Sequence, residues 1–118
     1  MELNAWKQRV ADEVVTPICE YMAEYDVDDF SAEDVKACGA LLENYLDALA
    51  ALREPSDEAI MAEVEKVVLA LNELNEATDY ALIETSERES ICVIIQEAAE
   101  ECGLTNGVED VTEDWREW

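Results

Sequence analysis

Apolar residues recur at three- and four-residue steps through nearly the whole chain, and little interrupts them. Leu3, Trp6, Val10, Val14, Ile18, Tyr21 and Tyr25 form the first such run. A step of three or four returns a side chain to the same side of an α-helix, so the run marks one helical face. Val35, Cys38, Leu42, Tyr45, Leu49 and Leu52 form the second, widened by Leu41 and Leu46. Ile60, Val64, Val67, Leu71 and Leu74 form the third, with Met61 and Val68 beside it. Ile91, Ile95, Ala98 and Cys102 carry the fourth, joined by Cys92 and Ile94. No alternating pattern is long enough to compete. Ile91-Cys92-Val93-Ile94-Ile95 is strand-prone in isolation, but it lies inside a capped stretch of helical period. The expectation is an all-α fold: a four- to five-helix bundle, mostly antiparallel because the connections are short, forming one domain over residues 1–118.

With 3 Gly and 2 Pro, each interruption carries weight. Pro17 lies inside the first run. It lacks an N–H and crowds the preceding turn, which predicts a kink or break near Val15 and Thr16. Ser31 is placed to cap the second helix, with Glu33 and Asp34 in its first turn. Glu54-Pro55-Ser56 ends that helix and caps the third, because a residue before proline is pushed out of the α region. Ala77 to Ala81 loses the periodicity and turns. Thr85 and Ser86 offer caps for the fourth helix, Ser86 with Glu89 at capping-box spacing. Cys102-Gly103 suits a helix end, since glycine adopts the left-handed cap without steric cost. Thr105-Asn106-Gly107 forms a loop, and Thr112 caps a last short helix over about 112–118.

Charge excludes several functions. The chain has 31 Asp and Glu against 7 Lys and Arg, a formal charge of −24, and no histidine. Phosphates need Lys and Arg, so direct nucleic-acid binding is not expected. Without histidine there is no Ser-His-Asp or Cys-His catalytic arrangement, and the commonest metal ligand is missing. The 50% hydrophobic content separates the chain from disordered acidic tails. No run approaches the ~18 apolar residues of a membrane span, and the opening residues lack the apolar core of a secretory signal. Cys19, Cys38, Cys92 and Cys102 stand in no paired spacing, so they suit buried hydrophobes in a reducing cytoplasm better than a zinc site. The expected location is cytoplasmic, with no cofactor and no membrane.

The carboxylates cluster along the sequence. Glu20, Glu24, Asp26, Asp28, Asp29, Glu33 and Asp34 follow one another with no base between them. Glu97, Glu100, Glu101, Glu109, Asp110, Glu113, Asp114 and Glu117 surround Arg116 alone. Glu63 with Lys66, and Glu84 with Arg88, have ion-pair spacing. Glu97 and Glu101 are like charges four apart near a helix end whose dipole disfavours anions, and Glu20 with Glu24 and Glu73 with Glu76 lie similarly. Repeated breaches of a local rule point to a functional surface. A solvated, solubilising exterior is the plainer account of the same residues. Asp26-Val27-Asp28-Asp29 opens like a calcium loop, but Ser31 and Ala37 stand where glycine and glutamate are needed, which rejects an EF-hand. Glu97, Glu100, Glu101 and Asp114 offer a weaker alternative, carboxylates holding Mg²⁺ in an all-helical nucleotide pyrophosphohydrolase. Asn72 and Asn75, three apart, suit side-chain hydrogen bonds to a neighbouring segment or an exposed polar face. Trp115 and Trp118 would share a face of the last helix, either packed on the bundle or offered to a partner.

Leu71-Asn72-Glu73-Leu74-Asn75, the segment from Leu82 to Glu89, and the ending from Asp110 to Trp118 resemble small acidic bacterial proteins of no assigned activity, over roughly the second half of the chain. In size, charge and helical character the chain is also similar to immunity proteins, which neutralise a basic toxin by masking its active surface. That likeness implies a basic protein partner. The expected function is accordingly an acidic binding protein: an immunity-type inhibitor, or a nucleic-acid mimic whose carboxylates stand in for phosphates. The expected contact residues are Glu20, Glu24, Asp26, Asp28, Asp29, Glu97, Glu101, Asp110 and Asp114, with Trp115 and Trp118. The alternatives are the Mg²⁺-dependent hydrolase and a non-catalytic, homo-oligomerising bundle.

Overall fold

Four helical rods carry the four apolar runs in a computed structural model that describes all 118 residues. The first rod comprises α1 (Leu3–Val10), a π-helical turn (Ala11–Val15) and α2 (Thr16–Tyr25), joined without a break. The others are α3 (Ala32–Ala51), α4 (Asp57–Ala77) and α5 (Thr85–Glu101). No strand forms.

Where a kink or break is expected near Val15 and Thr16, the chain makes a π turn over Ala11–Val15 and runs on into α2 without a break. Pro17 cannot donate, and the Thr16 N–H bonds to the Ala11 carbonyl five residues back. The wider turn also suits the apolar spacing. Trp6, Val10, Val14 and Ile18 are four apart, and a strict four-residue step drifts about 40° per step on an α-helix. Widening the middle of the run takes up part of that drift, and all four side chains are buried. Tyr21 and Tyr25 leave the core, at 48% and 61% exposure. There α2 packs chiefly on α3, at the level where α5 is only beginning.

Capping matches the polar signals in part. The Ser31 hydroxyl accepts the Asp34 amide at 3.3 Å while Asp34 accepts the Ser31 amide at 2.8 Å, a reciprocal box. Ser56 accepts the Ala59 amide at 3.1 Å. At α5 the expected cap is displaced: Glu84 holds the N-cap position without a side-chain bond, and Ser86 bonds Glu87 instead. At the other end of α5, Gly103 has φ of +105°. The Gly103 and Leu104 amides reach the Glu100 and Ala99 carbonyls at 3.0 and 3.2 Å, which closes the helix with a Schellman pair.

Cross-rod bonds show the directions. Lys7 pairs with Asp47 at 2.9 Å while Val15 lies against Gly39, so the first rod opposes α3. Arg9 pairs with Glu97 at 2.8 Å and Trp6 bonds Glu101, so it also opposes α5. The Tyr45 hydroxyl donates to the Ile95 carbonyl at 2.9 Å, which ties α3 to α5 across the middle of the bundle. Asp57 accepts the Thr105 amide at 2.9 Å, which brings the start of α4 to the end of α5. Gly39 permits the closest seam: a Cβ there would meet Val15 Cγ2 at 2.9 Å. Phe30, Leu82, Ile83 and Val111 complete the core from the connections, so these loops are pinned by burial.

The expected helix over 112–118 is not formed; the segment makes turns instead. Local and long-range bonds outcompete the helix. Asp110 accepts the Thr112 amide at 3.0 Å and the Thr112 hydroxyl at 2.6 Å, and Arg116 donates to Asp110 at 3.0 Å and to the Trp118 carbonyl at 2.9 Å. Asn72 then clamps the segment to α4: its amide donates to the Trp115 carbonyl at 2.8 Å and its oxygen accepts the Glu117 amide at 3.1 Å. Asn75 does the same for the turn before α5, accepting the Ile83 amide at 2.9 Å. No helix is long and apolar enough to cross a membrane.

Candidate functional site

The two acidic clusters of the sequence fall in different places. Glu20 and Glu24 lie on α2, and Asp26, Asp28 and Asp29 in the connection to α3, all exposed. Tyr21 shares a groove with Ser86 and Ser90, so this cluster is level with the start of α5. Glu101 is the last residue of α5 and Glu97 lies one turn before it. At 1.5 Å per residue the nearest members, Glu20 and Glu97, are roughly 15 Å apart along the bundle, and Glu24 and the aspartates lie farther. A molecule 45 Å long and 20 Å thick keeps them as two regions.

Glu97 and Glu101 have structural work. Arg9 donates to Glu13 at 2.7 Å and to Glu97 at 2.8 Å. Its guanidinium lies 4.8 Å from the centre of the Trp6 ring, whose indole N–H is bound by Glu101. The hydrogen bond from Arg9 holds the Glu13 carboxyl below the usual range, and Glu13 in turn raises Arg9. The two like charges at the end of α5 therefore each gain a donor from α1. Their breach of the helix-end rule is explained by this staple.

Asp110 is engaged as well. Partial burial pushes its carboxyl up, but hydrogen bonds from Thr112 and the charge of Arg116 outweigh that and hold it below the ordinary value. Asp114 is exposed on the turn and bonds no cation. Trp115 and Trp118 are half-buried against the core and do not share a helical face. Arg116 lies over the Trp118 ring at 5.6 Å.

What the fold does assemble is a groove between α5 and the segment 104–110. Glu97, Glu100, Glu109 and Asp110 line it around Val93, in a depression of about 260 Å³. Gln96 builds the wall: its side chain donates to the Val108 carbonyl at 3.1 Å and accepts the Val111 amide at 3.0 Å. A second depression continues past Glu100 and Glu109 to Thr105 and Val108. Val93 and Val108 are 43% and 42% exposed and give the two depressions apolar surface. Arg9 and Arg116 meet Glu97 and Asp110 at the margins, whereas Glu100 and Glu109 form no ion pair. Glu100 and Glu109 were not among the expected contact residues. Both belong to the second acidic run, but nothing local joins them, because the groove exists only once the segment after Gly103 folds back along α5.

Across the molecule, five of the 31 acids are in ion pairs. Glu63 with Lys66 forms as expected at 2.6 Å; Glu84 with Arg88 does not. Lys36, Arg53 and Arg88 pair with no acid. No three Asp, Glu or Cys side chains converge closely enough to hold a metal ion. Glu97, Glu100, Glu101 and Asp114, the set that would have carried Mg²⁺, are divided between the staple, the groove and the final turn. No protein-family model, curated protein or solved structure matches the chain.

Proposed function

We propose that the protein binds a basic protein partner, in the manner of an immunity-type inhibitor or a nucleic-acid mimic, and that the groove along α5 is part of the contact surface. The observation that supports this reading is the groove's composition. Glu97, Glu100, Glu109 and Asp110 line the depression around exposed Val93, and Glu100 and Glu109 also line the adjoining one that holds exposed Val108. Apolar surface ringed by charge is the arrangement in which an interface excludes water at its centre and selects its partner at the rim. The surplus charge adds reach: a net −24 steers a cationic protein toward the surface and repels other anions. In the mimic version, Glu100 and Glu109 take the place of phosphates before Lys and Arg that would otherwise grip a nucleic-acid backbone.

Capture from a lysate of the protein's own cell at low ionic strength tests this. The expected result is one basic protein, retained specifically and released by salt. A partner that nucleic acid displaces marks the mimic; a partner whose enzymatic activity is lost in the complex marks the inhibitor. Indiscriminate retention of many cationic proteins, or of none, rejects the reading.

A further inference from the structure

A second groove lies between α2 and the beginning of α5. Val14 of the π turn and Ile18 of α2 close its floor and are themselves buried, while exposed Pro17 and Tyr21 supply its apolar walls, in a depression of about 280 Å³. Glu13, Glu84 and Glu87 stand around it, with no Lys or Arg in the lining. The unpartnered face continues beyond the groove. Pro17, Tyr21 and Tyr25 are four apart on one side of α2, and all three are exposed. The Tyr21 and Tyr25 rings lie 4.8 Å apart, tilted by 38°. Glu20 and Glu24, each one residue before a tyrosine, flank the stripe.

We infer that this face docks a lysine- or arginine-bearing segment of the partner, one cationic side chain entering the groove beside Tyr21. This rests on the reading that the partner is basic. The volume is just below the ~300 Å³ at which drug-sized pockets begin and suits one side chain. An aliphatic stem can lie on Pro17 and the Tyr21 ring, the exposed apolar surface of the groove, while the head meets carboxylate and ring face together. Charge decides against a second copy as occupant. Each copy carries −24 and only 7 bases, of which Lys7, Arg9, Lys66 and Arg116 are already paired. The one paired cation near the groove, Arg9, is shared between Glu13 and Glu97 and leaves Glu84 and Glu87 without an ion pair.

Hexa-arginine added to the ¹⁵N-labelled full chain in low salt provides the test. Amide shifts should concentrate at Tyr21, Tyr25, Ser86 and Ser90. Y21A/Y25A should weaken binding about fivefold, while Y21F/Y25F, which keeps the ring faces, should not. Shifts spread evenly over all acidic positions, or equal binding by the alanine and phenylalanine pairs, would overturn the inference. So would a dimer in sedimentation that Y21A/Y25A dissolves. The two readings fail separately. A captured partner whose affinity Y21A/Y25A leaves unchanged removes this groove and spares the partner. Localised peptide binding without any captured partner does the reverse.

Discussion

Cys38 and Cys19 show how far apart two residues of one type are set by their surroundings. Cys38 is fully buried in α3, and burial pushes its thiol up to about 12. Cys19 is exposed on α2. Because the thiolate is the nucleophile, a thiol reagent at mildly alkaline pH should label Cys19 first and Cys38 only as fast as the whole protein unfolds. Peptide mapping of the labelled sites checks this, and early labelling of Cys38 would mean that the bundle opens locally. Asp110 gives a pH signature of definite sign. Its folded value is depressed, so its contribution is present above the ordinary value of 3.8 and is lost as pH falls through the folded value. Tryptophan emission from the 110–118 turn should therefore hold down to about that pH and shift to the red below it, whereas D110N should show the shifted emission at neutral pH. An unshifted D110N would remove Asp110 from the turn's support.

The elements owe their placement to a few contacts that periodicity does not reveal. Gly39 is one. Glycine inside a helix costs about 1 kcal/mol relative to alanine, and here it admits Val15 to the α3 seam. G39A should gain that propensity yet lose more to overpacking, typically ~1–3 kcal/mol, so urea unfolding should show net destabilisation that V15A relieves. A G39A chain more stable than wild type would show that the seam has slack. Asn72 is the other. N72A leaves the Trp115 carbonyl and Glu117 amide without their partner, and unfolding should cost ~1–3 kcal/mol less, with protease cutting first within residues 110–118. The four rods were legible because their stripes obey one period and Ser31, Ser56 and Gly103 punctuate it. The π turn was half legible: Pro17 announced a disturbance, but the i→i−5 solution depends on α3 and α5 lying alongside. The final helix was misread because Asp110, Thr112, Arg116 and Asn72 offer the backbone better partners than its own carbonyls. The candidate groove was legible at Glu97 and Asp110 but not as a groove, since Val93 and Glu100 acquire Val108 and Glu109 through a chain reversal that no local pattern encodes.

For the molecule as a whole, the question is what an uncompensated charge of −24 is for. A solubilising coat would be indifferent to which carboxylates carry it; a binding surface would not. Glu100 and Glu109 line the α5 groove without ion pairs, while Glu58 and Glu73 are exposed and line neither groove. E100Q/E109Q and E58Q/E73Q therefore remove the same charge from different places. Long-range steering should fall equally in both, so the difference between them isolates contact from field. The decisive measurement is the affinity of the captured basic protein for these two charge-matched variants at one salt concentration. A groove that makes the contact predicts about a tenfold loss for E100Q/E109Q and near wild-type affinity for E58Q/E73Q. Equal losses in the two variants would contradict it and leave the acidic exterior as a diffuse coat.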